Sequence, residues 1–270
     1  MILEKTVEII KQIYNTQEII PPKINKVVIG LGYTGVEVSD VDLTPILGLA
    51  STLPSVLNNT DCSKISFAGN LASMKLLELV EWSCLIPSIE KIIGIATLNA
   101  VSQHILRIKN PYSKLNGDPI NYLEINQDTK ITIIGLMKPI IRKLSKKTKN
   151  ITLIEDSMSI PQEFSKYYFR KNIGELEKEE ISTDILFCTG TSLINNTLED
   201  ILNLYRSNAK KIIVMGPSIG LLPNILFDSG VDIVGGMEII APEATMRIIQ
   251  EGGGTKLFKK YGKKYNLIKK

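Results

Sequence analysis

The chain has few of the residues that most often bind metals or act as nucleophiles. Its 270 residues include three cysteines and one histidine. Cys62, Cys84 and Cys188 are far apart and lack CxxC spacing, which argues against a disulfide framework and a structural zinc site. We expect Cys188, inside a predicted buried strand, to be an inert core thiol. His104 lies on a predicted helix, where a structural hydrogen bond is favoured over a place in a catalytic triad.

Long apolar runs are also absent. No run approaches the roughly 18 residues that a membrane-spanning helix needs, and the N-terminus is charged and amphipathic, unlike a signal peptide. We therefore expect a cytoplasmic protein with no membrane partner. Hydrophobic residues make up 44% and charged residues 22% of the chain, which is typical of a globular protein, and the length predicts about two domains.

The positive charge is confined to one end. The formal net charge is +4, but residues 256–270 contain seven lysines and no acid. Subtracting them leaves 25 basic and 28 acidic residues, a net charge of −3 for residues 1–255. Because no arginine or aromatic cluster accompanies these lysines, the pattern favours a solvated helix face over a nucleic-acid contact.

Hydrophobic periodicity divides the chain into two parts. Residues 1–110 show an amphipathic helix, a cluster of strands between 26 and 53, and two helices, of which the second begins after Ser88. Residues 111–122 are dense in turn formers and are predicted to be a linker. From 123 to 270, strands alternate with helices, which predicts an α/β fold with a parallel, doubly wound sheet.

The strands of this second part end in small or polar residues. The longest such stretch, residues 189–197 (TGTSLINNT), follows the predicted strand 184–188 and precedes a helix. Open α/β sheets bind ligands at the carboxyl ends of their strands. Helix capping explains one polar residue in this loop but not six, so a ligand role is favoured.

Two further strand ends carry candidate residues with open alternatives. Glu155 and Asp156 lie 20 and 21 residues beyond Gly135, near where a ribose-binding acid stands in nucleotide-binding units, but the GxGxxG fingerprint is missing. The alternative for either acid is a turn or cap. Gly236 and Glu238 follow a later strand, where a tight turn explains the glycine equally well.

Residues 252–256 (GGGTK) have the composition of a phosphate loop but follow a helix, so a helix terminator is at least as well supported. With so few cysteines and histidines, any bound metal would depend on Glu155, Asp156, Glu238 or atoms of the ligand.

Several motifs together resemble a known family. They are residues 29–35 (IGLGYTG), 94–100 (GIATLNA), 189–197, 216–218 (GPS) and 251–256 (EGGGTK). The chain resembles the proteins described as "putative heavy-metal chelation", in which a DUF4213 domain precedes a DUF364 domain. The resemblance implies an α+β, enolase N-terminal-like first domain, a Rossmann-like second domain and a shared cleft.

The resemblance also implies which residues line that cleft. The first domain would supply Tyr33, Thr34, Asn70 and Asn99, although Tyr33 could pack at the interface and Asn99 could be a satisfied helix residue. The second domain would supply Thr189, Gly190, Thr191, Asn195, Thr197, Gly216, Ser218 and Gly236.

Two functional hypotheses follow. The first is a protein that binds or processes a metal or metal complex in the cleft, with a transition metal as cofactor. The second is an enzyme using an adenosine-containing cofactor, either S-adenosylmethionine or NAD, with Gly135, Glu155 and Asp156 at its site. The partner in either case is a small molecule or metal complex, and an exposed sheet edge could support a homodimer.

Overall fold

A computed structural model describes residues 1–16, 19–57, 65–156, 161–165 and 167–269. Cys62 lies outside the described residues. The N-terminal region contains helices and strands in the following order: α1 (Ile2–Asn15), β1 (Lys23–Ile29), β2 (Tyr33–Ser39), β3 (Pro45–Ser51), α2 (Pro54–Leu57), α3 (Leu76–Glu81) and α4 (Ile89–Ile108).

The C-terminal region alternates strands and helices. Its elements are β4 (Ser113–Leu115), β5 (Ile131–Ile134), α5 (Lys138–Leu144), β6 (Ile151–Ile154), β7 (Tyr168–Arg170), α6 (Lys178–Ile181), β8 (Thr183–Thr189), α7 (Leu198–Tyr205), β9 (Ala209–Met215), α8 (Asn224–Asp228), β10 (Ile233–Ile239), α9 (Pro242–Gln250), α10 (Thr255–Phe258) and β11 (Gly262–Ile268).

Helix α4 organises the N-terminal region. The Ser88 side chain accepts a hydrogen bond from the Lys91 N–H and so caps the helix, as its sequence predicts. Ile89 and residues 91–105 are buried, so α4 is covered on all sides over most of its length. It packs on the three-stranded antiparallel sheet β1-β2-β3, where Gly48 lets the backbones meet. A Cβ at Gly48 would lie 2.0 Å from the Ala96 carbonyl oxygen.

The C-terminal region is built on an eight-stranded sheet with the order β4-β11-β10-β9-β8-β5-β6-β7. The six strands β10, β9, β8, β5, β6 and β7 run parallel to one another. Strands β11 and β4 are antiparallel additions at one side. The predicted α/β fold is confirmed: a small antiparallel sheet with helices precedes a larger, mostly parallel sheet. The specific likeness to an enolase N-terminal domain stays a prediction.

The structure corrects three local predictions. The first of the two helices predicted after the strand cluster is broken into a 3₁₀ turn (Leu71–Ser73), α3 and a second 3₁₀ turn (Trp82–Cys84). Strand β7 is a short strand at the end of the sheet that the sequence pattern did not predict. The lysine-rich tail is not a long helix face, because β11 pairs with β10 along seven residues.

The predicted linker, residues 111–122, contains β4, which pairs with β11 and thereby belongs to the large sheet. The division of the chain into two domains stays a prediction.

The two regions share buried apolar surface. One cluster joins residues of α1 and α4 to residues of β8, α7 and α8, and another joins the small sheet to α9 and Phe258. Across the described ranges, no single helix is long and apolar enough to span a membrane. The segments Leu76–Cys84 and Ile89–Ile108 reach that length and composition only as a pair bent by 119°.

Candidate ligand site at the sheet edge

The order of the large sheet places a topological switch point between β5 and β8. The chain enters the parallel sheet at β5, extends to one side through β6 and β7, and then returns to build β8, β9 and β10 on the other side. Ligands of open α/β sheets bind in the crevice outside the carboxyl ends of strands at such a point. Gly135 and Thr189 stand at this position, because Ile134 is paired with Cys188.

Gly135 is required by both conformation and space. Its φ is +93°, in the left-handed region that glycine adopts without strain, and a Cβ there would lie 2.5 Å from Cγ2 of Thr189. The next residue, Leu136, donates its N–H to Oε2 of Glu155 at 2.6 Å. Glu155 therefore holds the loop after β5, which agrees with the turn alternative to ribose binding.

Hydroxyl groups continue along the edge at the end of β8. Thr189 Oγ1 accepts hydrogen bonds from the N–H and the hydroxyl of Thr191, at 3.4 and 3.1 Å. Both threonines are half-buried, and Gly190 between them is buried. A Cβ at Gly190 would lie 2.9 Å from the backbone N of Ile219, so the loops after β8 and β9 are in contact.

The loop after β9 connects this edge to the N-terminal region. Gly216 has a φ of +135° and donates its N–H to the Gly235 carbonyl. Ser218 is 2% exposed, and its Oγ accepts the N–H of Ser51, at the end of β3, at 3.0 Å. The small sheet thus closes over the strand ends through this bond. The sequence did not identify Ser51 as a site residue, because its role arises only from packing between distant parts of the chain.

A stripe of buried polar groups on α4 faces the same region. Asn99 donates from Nδ2 to the Leu49 carbonyl at 2.8 Å. Asn99 Oδ1, Ser102 Oγ and Gln103 Oε1 are buried, and no described residue forms a hydrogen bond with them. Asn99 and Gln103 both border Gly220, just after the Ser218 turn. The spacing i, i+3, i+4 on an otherwise apolar helix is the sequence signal that could have identified Ser102 and Gln103.

Two predicted site residues of the first strands have structural contacts instead. The Tyr33 hydroxyl accepts a hydrogen bond from Thr255 Oγ1 at 2.8 Å, and its ring packs edge-on against Phe258 with centroids 5.0 Å apart. Thr34 is fully buried and lies 3.0 Å, oxygen to oxygen, from the hydroxyl of Thr52. These contacts agree with the packing alternative for Tyr33.

Several predicted residues lie outside this group. Asp156, Asn195 and Thr197 are exposed, the latter two between the Gly190–Leu193 turn and α7. Asn70 is also exposed, and its backbone hydrogen bonds join it to Phe67 and Ser73. A ligand could reach these residues only from the surface of the molecule.

Strand β10 explains the remaining two residues. Gly236 makes room for the ring of Tyr265, since a Cβ there would lie 2.3 Å from the tyrosine oxygen. Gly235 pairs with Met215, the last residue of β9, and Glu238 lies three residues further along β10. Its Oε1 forms an ion pair with Nε of Arg107 at 3.2 Å. Both residues of β10 therefore have partners within the fold, by packing for Gly236 and by an ion pair for Glu238.

The glycine-rich stretch after α9 is a helix terminator. Gly252 has a φ of +79°, its N–H bonds to the Ile249 carbonyl, and the Gly253 N–H bonds to the Ile248 carbonyl. This pattern is a Schellman motif, the usual glycine-dependent end of a helix. Of the two alternatives for residues 252–256, the structure therefore agrees with the helix terminator.

The described residues do not fit a bare metal ion. No three histidine, cysteine, aspartate or glutamate side chains among them are close enough to share one. Burial raises the pKa of the Cys188 thiol to about 12, so it stays protonated, as expected of an inert core thiol. His104 is 2% exposed, and its Nδ1 lies 3.3 Å from the Tyr14 hydroxyl. A ligand bound at the sheet edge would meet hydroxyls, amides and backbone groups.

A separate cavity of about 270 Å³ lies between the two regions, beside α1, α4 and α7. Lys91 lines it but is 1% exposed, and its ammonium donates to the carbonyls of Ser83 and Leu85, both at 2.9 Å. Burial lowers the Lys91 pKa, while the nearby Cys84 and Glu4 act in the opposite direction. These hydrogen bonds give Lys91 a structural role at the end of the Trp82–Cys84 turn.

The fold and its sheet edge define an α/β protein with a mostly parallel sheet and a smaller antiparallel sheet packed at its strand ends. Family models described as "Putative heavy-metal chelation" match residues 16–102, as DUF4213, and 118–268, as DUF364. The chain belongs to this DUF364 family, as its motifs suggested.

Known proteins similar to the chain include an uncharacterized protein of Methanocaldococcus jannaschii, 29% identical over 184 residues that cover 66% of each chain. Two solved structures of DUF364 proteins match over the full length of both chains. One, from Pyrococcus horikoshii, has a TM-score of 0.80 and 24% identity, and the other, from Desulfitobacterium hafniense, has 0.73 and 19%. These structures support the fold.

Proposed function

We propose that the chain binds a small metal complex, a metal ion already held by an organic chelator, at the carboxyl ends of β5, β8 and β9. The small sheet and α4 cover this cleft from the N-terminal side. We place this binding protein in the cytoplasm. The family description supports the metal, and the chemistry of the sheet edge supports the organic part.

The observation that carries the proposal is the switch point itself. Gly135 and Gly216 both adopt positive φ directly after the two strands that flank β8, so the backbone at either side of Thr189 presents no side chain. Thr189 and Thr191 add half-buried hydroxyls between them. A sheet edge with bare backbone and hydroxyl groups suits a polar, uncharged ligand surface.

The absence of a three-ligand cluster among the described residues favours a complex over a bare ion. A bare transition metal requires thiolate, imidazole or carboxylate donors in one place, whereas a chelated ion brings its donors with it. The protein then needs only hydrogen bonds to the chelator. The half-buried hydroxyls at the end of β8 supply groups of that kind.

Native mass spectrometry combined with elemental analysis tests this proposal. The full chain is measured as purified, and again after incubation with nickel, cobalt or iron salts. We expect an adduct heavier than a single metal ion, with the metal confirmed by elemental analysis. An adduct equal in mass to one bare ion would contradict the chelated form, and a metal-free protein under all conditions would contradict the proposal.

The alternative is an enzyme that binds S-adenosylmethionine or NAD at the same edge. One observation favours it: Glu155 follows the second parallel strand at the level of Gly135, where a ribose-binding acid stands in nucleotide-binding folds. Asp156 beside it is exposed and accessible. Calorimetric titration with both cofactors, repeated on Asp156→Ala, tests this reading, and a lack of binding by the unmutated chain would exclude it.

A further inference from the structure

The lysine-rich tail begins with a short helical segment that presents an amphipathic surface. Phe258, fully buried, anchors α10 through the ring of Tyr33, and the Thr255 hydroxyl adds a hydrogen bond to the same tyrosine. Because Phe258 points inward, Lys256, Leu257, Lys259 and Lys260 are exposed around it. The segment is held firmly while its charged and apolar side chains face solvent.

A second exposed leucine lies beside this segment. Leu31, at the turn between β1 and β2, is 73% exposed, and Leu257 is 56% exposed. Both contact the glycine turn after α9. A methyl carbon of Leu31 lies 3.3 Å from the position of a Cβ at Gly252, and one of Leu257 lies 3.1 Å from that at Gly253. Two protruding leucines therefore sit on one glycine turn.

The lysines around these leucines form no ion pair within the described residues. In the described part of the chain, no carboxylate lies within 4.0 Å of the ammonium groups of Lys256, Lys259 or Lys260. Lys260 instead lies 4.9 Å from the ring centroid of Tyr261. Residues 1–255 carry a net charge of −3, so these lysines and the rest of the tail account for the positive net charge of the chain.

We propose that Leu31, Leu257, Lys256, Lys259 and Lys260 form a docking surface for an anionic lipid bilayer. Lysines near an anionic surface gain electrostatic attraction, and protruding leucines gain by burial among acyl chains. A nucleic acid would be attracted by the lysines but would gain nothing from the leucines. A globular partner would need a concavity to receive two protruding side chains, whereas a bilayer receives them without one. This inference is independent of the proposed ligand site. It departs from the sequence-based expectation of no membrane partner, which rested on the lack of a spanning helix and not on the surface of the molecule.

Vesicle sedimentation with the full chain tests the proposal. The vesicles contain phosphatidylglycerol and phosphatidylcholine in equal parts, with pure phosphatidylcholine as the neutral comparison. We expect binding to the anionic vesicles at low salt and its loss as salt screens the charges. No binding to anionic vesicles, or equal binding to neutral ones, would overturn the proposal.

Two variants and a matched control separate local from overall charge. The triple change Lys256→Glu, Lys259→Glu and Lys260→Glu should weaken binding about a hundredfold or more. The control Lys146→Glu, Lys147→Glu and Lys149→Glu alters the net charge equally at other exposed lysines and should weaken it far less. Equal losses of vesicle binding in both variants would show that binding depends on overall charge, and would overturn the proposed docking surface.

The leucines distinguish a bilayer from a polyanion. Leu31→Ser with Leu257→Ser should weaken vesicle binding about tenfold, while thermal unfolding stays close to wild type because both side chains are exposed. Unchanged vesicle binding in this variant would overturn the proposal. Binding of a duplex oligonucleotide in place of vesicles would overturn it as well, in favour of a nucleic-acid contact.

Discussion

Glycine has different roles at the seam between α4 and β3 and at the carboxyl edge of the large sheet. At the seam, Gly48 is needed because backbone meets backbone, and its Cβ would strike the Ala96 carbonyl at 2.0 Å. At the sheet edge, Gly135 and Gly216 adopt positive φ next to half-buried groups. At the seam only space requires glycine, whereas at the edge the positive φ requires it as well, and we propose that a ligand approaches there. Changes at the seam should cost stability, and changes at the edge should cost binding.

The largest effect is expected at the seam. Gly48→Ala should destabilise the protein by about 3 kcal/mol or more, because neither α4 nor β3 can move without disturbing the core. Chemical denaturation measures this loss. Gly254→Ala is the matched control, since nothing lies within 4 Å of its Cβ position and its φ is −124°. Equal stability of the two variants would contradict the packing account.

A smaller loss is expected at the edge. Gly135→Ala forces a side chain into a left-handed backbone conformation beside Thr189 and should cost about 2 kcal/mol. The loop after β5 should shift, so ligand retention should fall further than stability alone predicts. Denaturation and native mass spectrometry on the same sample compare the two losses. Full retention with the expected destabilisation would remove Gly135 from the site.

The buried lysine of α4 gives a pH-dependent prediction. Lys91→Met leaves the Ser83 and Leu85 carbonyls without their donor, which should cost about 1–3 kcal/mol near neutral pH. Burial lowers the pKa of Lys91 in the folded state, so between that pKa and the usual 10.5 the unfolded chain binds more protons. Wild-type stability should therefore rise with pH in that window, relative to the variant.

Denaturation curves from pH 7 to 10 test this sign, with the difference between wild type and Lys91→Met isolating the lysine. A difference that is constant with pH would show that Lys91 does not titrate in this range. A difference that shrinks as the pH rises would contradict the direction of the pKa shift.

The smallest effect on stability is expected for the hydroxyls at the edge. Thr189→Val combined with Thr191→Val keeps the shape of both side chains and removes hydrogen bonds between half-buried groups, at a cost below about 1 kcal/mol. Thermal unfolding should therefore change little. A large drop in stability would show that these hydroxyls serve the fold more than a ligand.

Local features explain what the sequence could predict. Ser88 indicates the start of α4 as a capping residue, and the alternation of strands and helices after residue 123 indicates the parallel sheet. The place of residues 189–191 at a strand end follows from the buried run before them. Each of these signals depends on neighbouring residues alone.

Long-range pairing explains what the sequence did not reveal. Strand β11 contains two lysines, and its adjacent apolar residues, Leu267 and Ile268, come only at its end, so its pairing with β10 cannot be recognised from neighbouring residues. The Ser51–Ser218 hydrogen bond joins residues 167 positions apart. The same limit applies to the loop at residues 189–197. Its first part meets the strand ends, whereas Asn195 and Thr197 are turned to solvent, and composition cannot separate the two.

Native mass spectrometry of the as-purified chain, the Thr189→Val/Thr191→Val variant and Asn195→Ala tests the central claim most directly. We predict that wild type and Asn195→Ala carry the same metal-containing adduct, because Asn195 lies outside the strand-end group, and that the double threonine variant loses it. Retention of the adduct by the double variant, or its loss from Asn195→Ala alone, would contradict a ligand site between β5 and β8.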